Sequence, residues 1–203
     1  LGIIRSSAEI LYKKAKSENN SSSRLLKAIF DESKRLSQTV NDFLDYARPK
    51  QAKLSRVNLL EIIDRVLTFL EPEIQRQEVQ VIRDLPESLP VDGDKDLTYR
   101  ALYNLLSNSL QAMSGKQTTR NIRFQGSIDK EYISLIIQDT GPGFDSSMMD
   151  KYVEPFYTTK ETGTGLGLSI VKNFLEKQNA HLDLQNSPEG GALVRISFPA
   201  PKS

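Results

Sequence analysis

The sequence contains no cysteine, only one histidine and no long hydrophobic run. Because cysteine is absent, disulfide bonds and thiolate metal sites are excluded, which is compatible with a reducing compartment. No apolar segment approaches the roughly 20 residues of a membrane-spanning helix, and no signal peptide is visible. The net charge of +1 gives no overall electrostatic reason to expect binding to nucleic acid or to an anionic membrane. What remains is a chain of 203 residues with the ordinary composition of one large or two small globular domains.

Residues 1–48 predict two amphipathic helices that form a hairpin. Apolar side chains recur at alternating spacings of three and four on both sides of a polar turn at residues 19–23. Pro49 ends the second helix, because the residue before a proline is pushed out of the α region. Two such hairpins would bury both apolar seams by pairing as a four-helix bundle, so this segment predicts a homodimer. The alternative is an amphipathic helix pair that packs on its own chain.

Residues 49–57 predict a linker, and residues 58–203 predict a second domain that mixes helices and strands. Asn58 predicts a helix N-cap, with Glu61 completing a capping box, and Pro72 should kink or end the helix that follows. A second helix is predicted after Asp94, a loop at 86–93, and strands at 78–83, 122–128, 132–138, 182–184 and 193–198. This order indicates an α/β sandwich, a sheet with helices on one face. The fold class is therefore α+β, with a helical hairpin before the sandwich.

The stretch from Gln138 to Val171 carries two glycine clusters, separated by an aromatic segment rich in threonine. Glycine lets the backbone pass close to a flat or anionic ligand, because no Cβ intervenes. The second cluster opens a helical pattern, and the first turn of a helix presents free N–H groups and the positive end of the helix dipole. That combination suits phosphate groups, so we predict the ligand site in this stretch.

Three polar side chains near these clusters are candidate ligand contacts. Asn104 and Asn108 lie four residues apart, on one face of the helix after Asp94, and amide oxygens are ligands that Mg²⁺ accepts beside phosphate and water. Asp139 ends a strand before Thr-Gly-Pro-Gly, where its carboxylate can accept a hydrogen bond from the amino group of a planar base. Taken alone, the asparagines are more often solvated amides and the Asp139 segment is more often a turn.

The segment Gly-Thr-Gly-Leu-Gly-Leu at residues 163–168 does not match well either of two common phosphate-binding motifs. No Gly-Lys-Ser/Thr follows, so it is not a Walker A loop. Its glycine spacing and the lack of a surrounding βαβ unit also disfavour a dinucleotide fingerprint. A flexible loop before a helix remains the alternative for this segment alone, and the joint order of all these segments argues against it.

Four segments together resemble the N, G1, F and G2 boxes of sensor histidine kinases, in that family's order. They are Asn-Leu-Leu-Ser-Asn at 104–108, Asp-Thr-Gly-Pro-Gly-Phe at 139–144, Glu-Pro-Phe-Tyr-Thr-Thr-Lys at 154–160 and Gly-Thr-Gly-Leu-Gly-Leu-Ser-Ile at 163–170. The resemblance covers essentially the whole chain. It implies that residues 1–48 are a dimerisation and histidine-phosphotransfer hairpin, and that residues 58–203 are a catalytic ATP-binding domain of the GHKL ATPase/histidine kinase type.

The resemblance implies ATP and Mg²⁺ as cofactors, and it assigns roles by position. Asn108 would coordinate the Mg²⁺ that bridges the ATP phosphates, Asn104 and Lys160 would act in catalysis, and Asp139 would bind the adenine amino group. Phe156 would anchor a movable lid over the nucleotide, at about Tyr157 to Thr162. The other implied nucleotide contacts are Gln111, Gly141, Gly143, Phe144, Tyr157, Thr158, Thr159, Gly163, Thr164, Gly165, Leu166, Gly167 and Leu168.

The implied reaction is transfer of the γ-phosphoryl group of ATP to a histidine, and then to an aspartate of a response-regulator receiver domain. The family's phosphoacceptor histidine lies shortly before the position of Leu1, and we expect His181 to be structural or merely exposed. We therefore expect this cytoplasmic chain to bind Mg-ATP without phosphorylating itself. Because Leu1 already lies in a helical pattern, we expect any membrane attachment to belong to segments before it.

Two other functions stay open. A related ATPase of the gyrase, mismatch-repair or heat-shock chaperone type would use a glutamate in the first N-box position to activate water, whereas this chain has Asn104 there, and an amide is no base. A non-catalytic, dimeric docking module that binds nucleotide is the second alternative, and the intact glycine boxes argue against it. Slow release of phosphate from ATP would distinguish the kinase from the ATPase, and unmeasurable ATP affinity would favour the docking module.

Overall fold

The computed structural model describes residues 6–7, 9–13, 23–47, 51–115, 119–160 and 163–200. The chain separates into two compact units, Leu1–Arg48 and Pro49–Ser203. Across the described ranges, we find no helix with the length and apolar character needed to span a membrane.

The first unit contains helix α1, Ser23–Ala47, and residues 9–13 are helical as well. The second predicted helix is therefore present and ends before Pro49. The predicted turn lies outside the described residues except for Ser23, which begins α1, so the hairpin stays a prediction. Several large apolar side chains of α1 are exposed in the single chain: Leu25, Ile29, Leu36, Val40, Phe43 and Leu44.

The second unit has the predicted α/β sandwich architecture. A five-stranded sheet in the order β2-β4-β5-β7-β6 is parallel between β2 and β4 and antiparallel elsewhere, and β1 pairs with β3 in a separate two-stranded sheet. The strands are β1 Ser55–Asn58, β2 Gln80–Asp84, β3 Pro90–Gly93, β4 Asn121–Ile128, β5 Tyr132–Asp139, β6 His181–Asn186 and β7 Ala192–Pro199. The helices described in this unit are α2 Leu59–Arg76, α3 Lys95–Ala112, α4 Gly167–Glu176 and the short 3₁₀ helix Ser146–Val153.

One core lies between the helices and the sheet. Alternate residues of β5 (Ile133, Leu135 and Ile137) point into it, because successive side chains of a strand face opposite sides. The apolar faces of α2, α3 and α4 cover the same core, as their helical spacing predicts. This packing fixes the C-terminal half of α3 and the start of α4 relative to the end of β5.

The N-cap residues Asn58 and Asp94 are those predicted from the sequence, but the bond from Glu61 that would complete the predicted capping box is not found among the described residues. The Asn58 side chain accepts hydrogen bonds from the backbone N–H groups of Leu60 at 3.2 Å and Leu89 at 3.0 Å. The Asp94 carboxylate likewise accepts from the N–H groups of Asp96 at 2.9 Å and Leu97 at 3.0 Å. Each cap satisfies donors that the first turn of a helix leaves unpaired.

Two local predictions differ from the structure, and so does one of the two outcomes predicted at Pro72. The predicted linker, residues 49–57, includes most of β1, and the predicted loop, residues 86–93, includes β3. These two short strands pair antiparallel, with Ser55 opposite Gly93, so each takes its conformation from a distant partner. Pro72 does not end α2, which continues to Arg76. It removes only one N–H donor, and the helix closes normally through the bond from Gln77 N to Glu73 O at 3.0 Å.

Candidate functional site

Asp139, the last residue of β5, is almost fully buried, with 4% of its surface exposed. Its Oδ1 atom accepts hydrogen bonds from the backbone N–H groups of Gly141 at 2.9 Å and Ala192 at 3.2 Å. Its Oδ2 atom has no hydrogen-bond partner among the described residues. Buried polar atoms are normally paired, so this side chain has a fixed orientation and one acceptor left for an outside donor.

Two glycines allow the neighbouring backbone to approach Asp139 closely. Gly191 has a φ of +85°, and a Cβ placed on it would overlap the Asp139 carbonyl oxygen and lie 2.8 Å from its carbonyl carbon. A Cβ on Gly141 would lie 2.9 Å from Asp139 Oδ1 and 3.2 Å from the Cβ of Ala112. The first glycine cluster therefore lies against the C-terminal end of α3. Gly141 was predicted, whereas Gly191 was missed, because the sequence around it indicates only a turn.

Lys160 connects the segment after the 3₁₀ helix to α3. Its Nζ atom donates hydrogen bonds to Asn108 Oδ1 at 3.2 Å and to Gln111 Oε1 at 3.0 Å. The residue is exposed overall, but partial desolvation of the ammonium group lowers the pKa of Lys160, and the Asp139 carboxylate opposes that shift. Two predicted side chains from separate boxes, Lys160 and Asn108, thus meet a third, Gln111, on one face of α3.

The second glycine cluster opens α4 beside Asn108. The N-cap residue Leu166 makes no side-chain capping hydrogen bond, so the first N–H groups of α4 have no side-chain cap. A Cβ on Gly167 would lie 3.2 Å from Asn108 Nδ2, which shows how closely the helix start approaches that amide. The Leu166 side chain is buried in the core, and Ser169 Oγ donates to its carbonyl at 2.9 Å. Leu166 therefore anchors the start of α4 through its side chain.

The second cluster also packs on the segment that carries Lys160. Gly165 has a φ of +69°, and a Cβ there would overlap the carbonyl carbon of Phe156. Phe156 itself has a φ of 67°, and 64% of its surface is exposed. The backbone of Phe156, and not its exposed ring, lies against Gly165, and the predicted role of Phe156 as the anchor of a lid stays a prediction. Glu161 and Thr162, at the end of the predicted lid, lie outside the described residues.

Asn186, at the end of β6, holds the last part of the first cluster. Its Oδ1 atom accepts from Phe144 N–H at 2.7 Å, and its Nδ2 atom donates to Phe144 O at 2.8 Å. Gly143 has a φ of +77°, and a Cβ there would lie 2.6 Å from Asn186 Oδ1. The Asn186 amide thus accepts from and donates to the backbone of Phe144, as the backbone of a neighbouring β-strand would. No sequence signal separates Asn186 from other asparagines near turns, so it was missed.

The remaining predicted residues surround the same region or support it. Asn104 is half-buried one turn before Asn108 on α3, and Thr158 Oγ1 accepts from Lys160 N–H at 3.1 Å. Thr164 Oγ1 accepts from Leu166 N–H at 3.4 Å. Tyr157 and Leu168 are half-buried, Thr159 is exposed, and Gly163 N–H donates to Lys160 O at 3.3 Å.

The side-chain amide oxygens on α3 suit Mg²⁺ in one respect. The oxygens of Asn108 and Gln111 converge on the Lys160 ammonium, so this position already suits a positive charge. Mg²⁺ commonly takes one or two protein oxygens and completes its shell with phosphate and water. Among the described residues, no group of three or more His, Cys, Asp or Glu side chains is arranged to hold a metal ion.

Comparisons with known proteins identify the family of this chain. Residues 93–202 match the family described as Histidine kinase-, DNA gyrase B-, and HSP90-like ATPase. The sequence is 33% identical over 174 residues to the C4-dicarboxylate transport sensor protein DctB of Pseudomonas aeruginosa, covering 84% of this chain and 28% of that protein. It is 28% identical over 175 residues to the signal transduction histidine-protein kinase AtoS of Escherichia coli, covering 86% of this chain and 28% of that protein.

A solved structure shows the same fold over most of the chain. Histidine kinase ThkA, in complex with response regulator protein TrrA, superposes with a TM-score of 0.75 at 22% identity, covering 88% of this chain and 51% of that one. The chain spans about a third of the length of the curated relatives that it matches.

Proposed function

The chain belongs to the histidine kinase-, DNA gyrase B- and HSP90-like ATPase family, as the catalytic domain of a sensor histidine kinase, and we propose that it binds Mg-ATP and transfers the γ-phosphoryl group to a histidine. The observation that carries this proposal is the meeting of Lys160, Asn108 and Gln111 beside the start of α4. A cation, two amide oxygens and the N–H groups of a helix start are the groups that a triphosphate and its metal require.

The adenine base is assigned to Asp139. Its Oδ2 atom is the acceptor that remains after two backbone donors have fixed Oδ1, and it can accept from the exocyclic amino group of adenine. Gly141 and Gly143 present no side chains there, so a flat ring can lie against the backbone. A hydrogen bond to a charged acceptor contributes about 1.5–3 kcal/mol, which makes Asp139 the main determinant of base recognition.

The phosphates are assigned to the face of α3 that carries Asn108. The Asn108 amide oxygen would hold Mg²⁺, whose charge would neutralise the phosphate oxygens during transfer. Lys160 would turn its ammonium group from Asn108 and Gln111 towards a phosphate, and the amides would be freed for the metal. Gly163, Gly165 and Gly167 keep side chains away from this face and leave backbone N–H groups available.

Hydrolysis is the less favoured reaction at this site. The first N-box position is Asn104, a half-buried amide on α3. An amide cannot accept a proton from an attacking water, so Asn104 supplies no general base. We therefore propose that phosphate release from ATP by this chain is slow.

The proposed partners follow from the first unit and from a related complex. The exposed apolar side chains of α1 favour a homodimer that covers them, in which the hairpin would pair with a second copy. ThkA is described in complex with a response regulator, and we propose a receiver domain as the partner here as well.

Phosphoryl transfer is tested with γ-labelled ATP and a separate helical hairpin that carries an acceptor histidine. His181 lies on β6 against Tyr132, with ring centroids 6.3 Å apart. Among the described residues, it contacts none of those proposed to bind the nucleotide. We therefore expect acid-labile label on the added hairpin and none on this chain. Label on this chain that disappears in His181→Gln would contradict the proposal. Rapid release of labelled phosphate, with no protein labelled, would favour the ATPase.

A further inference from the structure

An aromatic ladder joins the first glycine cluster to the segment that carries Lys160. The ring of Tyr152 lies edge-to-face against Phe144, with centroids 4.9 Å apart and an interplanar angle of 65°. The same ring lies edge-to-face against Tyr157, with centroids 5.5 Å apart and an interplanar angle of 86°. Such pairs are attractive beyond the apolar area that they bury. Tyr152 therefore packs against one residue from each of two boxes, although it belongs to neither.

The Tyr152 ring is also held by its own hydroxyl group, which accepts a hydrogen bond from Asp145 N–H at 3.1 Å. Tyr152 lies in the 3₁₀ helix, and the Asp145 carboxylate caps that helix by accepting from Ser147 N–H at 2.9 Å and from Ser147 Oγ at 2.7 Å. These bonds set the position of the ring relative to the first glycine cluster.

The two ends of the ladder differ in how they are fixed. Phe144 packs against the core and is bonded through its backbone to Asn186, so this end belongs to the rigid sandwich. Tyr157 is followed by Thr158, whose Oγ1 atom accepts a hydrogen bond from Lys160 N–H at 3.1 Å. Lys160 then reaches the two amides on α3. A displacement of Tyr157 would therefore be passed to the Lys160 ammonium.

We propose that Tyr152 is a positioning residue, whose ring fixes the segment Phe156–Lys160 relative to the first glycine cluster. Lys160 is thereby held on the face of α3 that carries Asn108. Tyr152 contacts Phe144, Asp145 and Tyr157, and its proposed effect on the nucleotide passes through these residues. The effect on nucleotide affinity rests on the proposed function. The fixing of residues 156–160 concerns the protein alone and is measurable without nucleotide.

The absence of cysteine allows a direct test. Thr159→Cys creates a single site for a nitroxide spin label, and the labelled chain serves as the parent for every comparison of label mobility. Tyr152→Leu removes the ring and is expected to increase the mobility of the label clearly in the absence of nucleotide. Tyr152→Phe keeps both ring contacts and should leave the label nearly as immobile as in the parent.

Mg-ATP titrations of the same substitutions in the unlabelled chain, which keeps Thr159, give the second readout. Losing both edge-to-face pairs should weaken Mg-ATP binding by about 10-fold in Tyr152→Leu, with a much smaller change in Tyr152→Phe. Tyr132→Leu is the matched control, because it also removes an edge-to-face aromatic pair, but one on the far strands with His181. Its label mobility and affinity should equal those of the parent.

An unchanged label in Tyr152→Leu would overturn the proposal, whatever the affinity. A mobile label in both Tyr152→Leu and Tyr132→Leu would also overturn it, since general loosening of the fold would then explain the result. If the unlabelled chain binds no Mg-ATP, the proposed function fails, while label mobility alone still decides whether Tyr152 positions residues 156–160. A mobile label confined to Tyr152→Leu supports the proposal.

Discussion

Gly191→Ala is expected to destabilise the second unit far more than Gly190→Ala. Both glycines have positive φ, +85° and +94°, so each alanine carries a conformational cost of about 1–2 kcal/mol. The surroundings differ. A Cβ on Gly191 would overlap the backbone oxygen of Asp139 and lie 3.1 Å from Thr140 Cα, whereas nothing lies within 4 Å of a Cβ on Gly190. Because backbone atoms cannot move aside as a flexible side chain does, we expect Gly191→Ala to lower the free energy of unfolding by about 3 kcal/mol more than Gly190→Ala.

Urea unfolding followed by circular dichroism measures this difference. The adjacent position and similar φ make Gly190→Ala a control for the loss of glycine's conformational freedom. The Gly191 variant should also bind Mg-ATP more weakly than the Gly190 variant, because the same overlap displaces Asp139. Equal stability losses in the two variants would show that the backbone near Asp139 relaxes easily, which would contradict a fixed base-binding carboxylate.

Asn108→Ala is expected to remove the dependence of ATP affinity on Mg²⁺. In the proposed site Asn108 supplies the protein oxygen that holds the metal, and substitutions around bound metals commonly weaken metal affinity by about 10- to 100-fold. A direct ligand should lie at the upper end, so we expect about a 100-fold loss of Mg-ATP affinity. Titration with ATP in excess Mg²⁺, and again in EDTA, separates the metal-dependent part from the rest.

Ser107→Ala, one residue earlier on α3, is the control for Asn108→Ala. Ser107 is half-buried and no nucleotide role is assigned to it, so Ser107→Ala should retain the full difference between Mg²⁺ and EDTA. If Asn108→Ala retains that difference as well, the metal lies elsewhere. Asn108 would then be only the hydrogen-bond partner of Lys160 that the structure shows.

The parts of the fold that could be predicted from the sequence are those determined by residues close to one another in the chain. Every second residue of β5 is buried and the residues between them are half-buried or exposed, and Asp94 caps α3 within its own first turn. Asn108 and Asp139 were selected because their segments stand in the order of the sensor histidine kinase boxes, although each segment alone is more often a solvated helix face or a turn. By contrast, β1 and β3 have four residues each, too few for a clear alternation, and each is defined only by pairing with the other.

The parts of the site that the sequence does not predict depend on contacts between distant residues. Asn186 and Phe144 are 42 positions apart, and nothing near either residue indicates the amide pairing between them. Gly191 lies in a segment typical of a turn, and its close approach to Asp139 follows from the position of β7 beside β5. Tyr152 appears as one aromatic residue between two boxes, and its contacts with Phe144 and Tyr157 emerge only after the 3₁₀ helix has formed.

Calorimetric titration of Mg-ATP into the chain and into Asp139→Asn tests the central claim most directly. The substitution keeps the shape of the side chain but removes the charge of the acceptor, so binding should weaken by about 10- to 100-fold. Asp129→Asn is the matched control, because Asp129 also accepts two backbone N–H bonds, from Glu131 at 2.8 Å and Tyr132 at 2.7 Å, in an exposed turn. That variant should bind as the parent does. Equal binding by Asp139→Asn, or no binding by the parent chain, would contradict the assignment of this site to ATP.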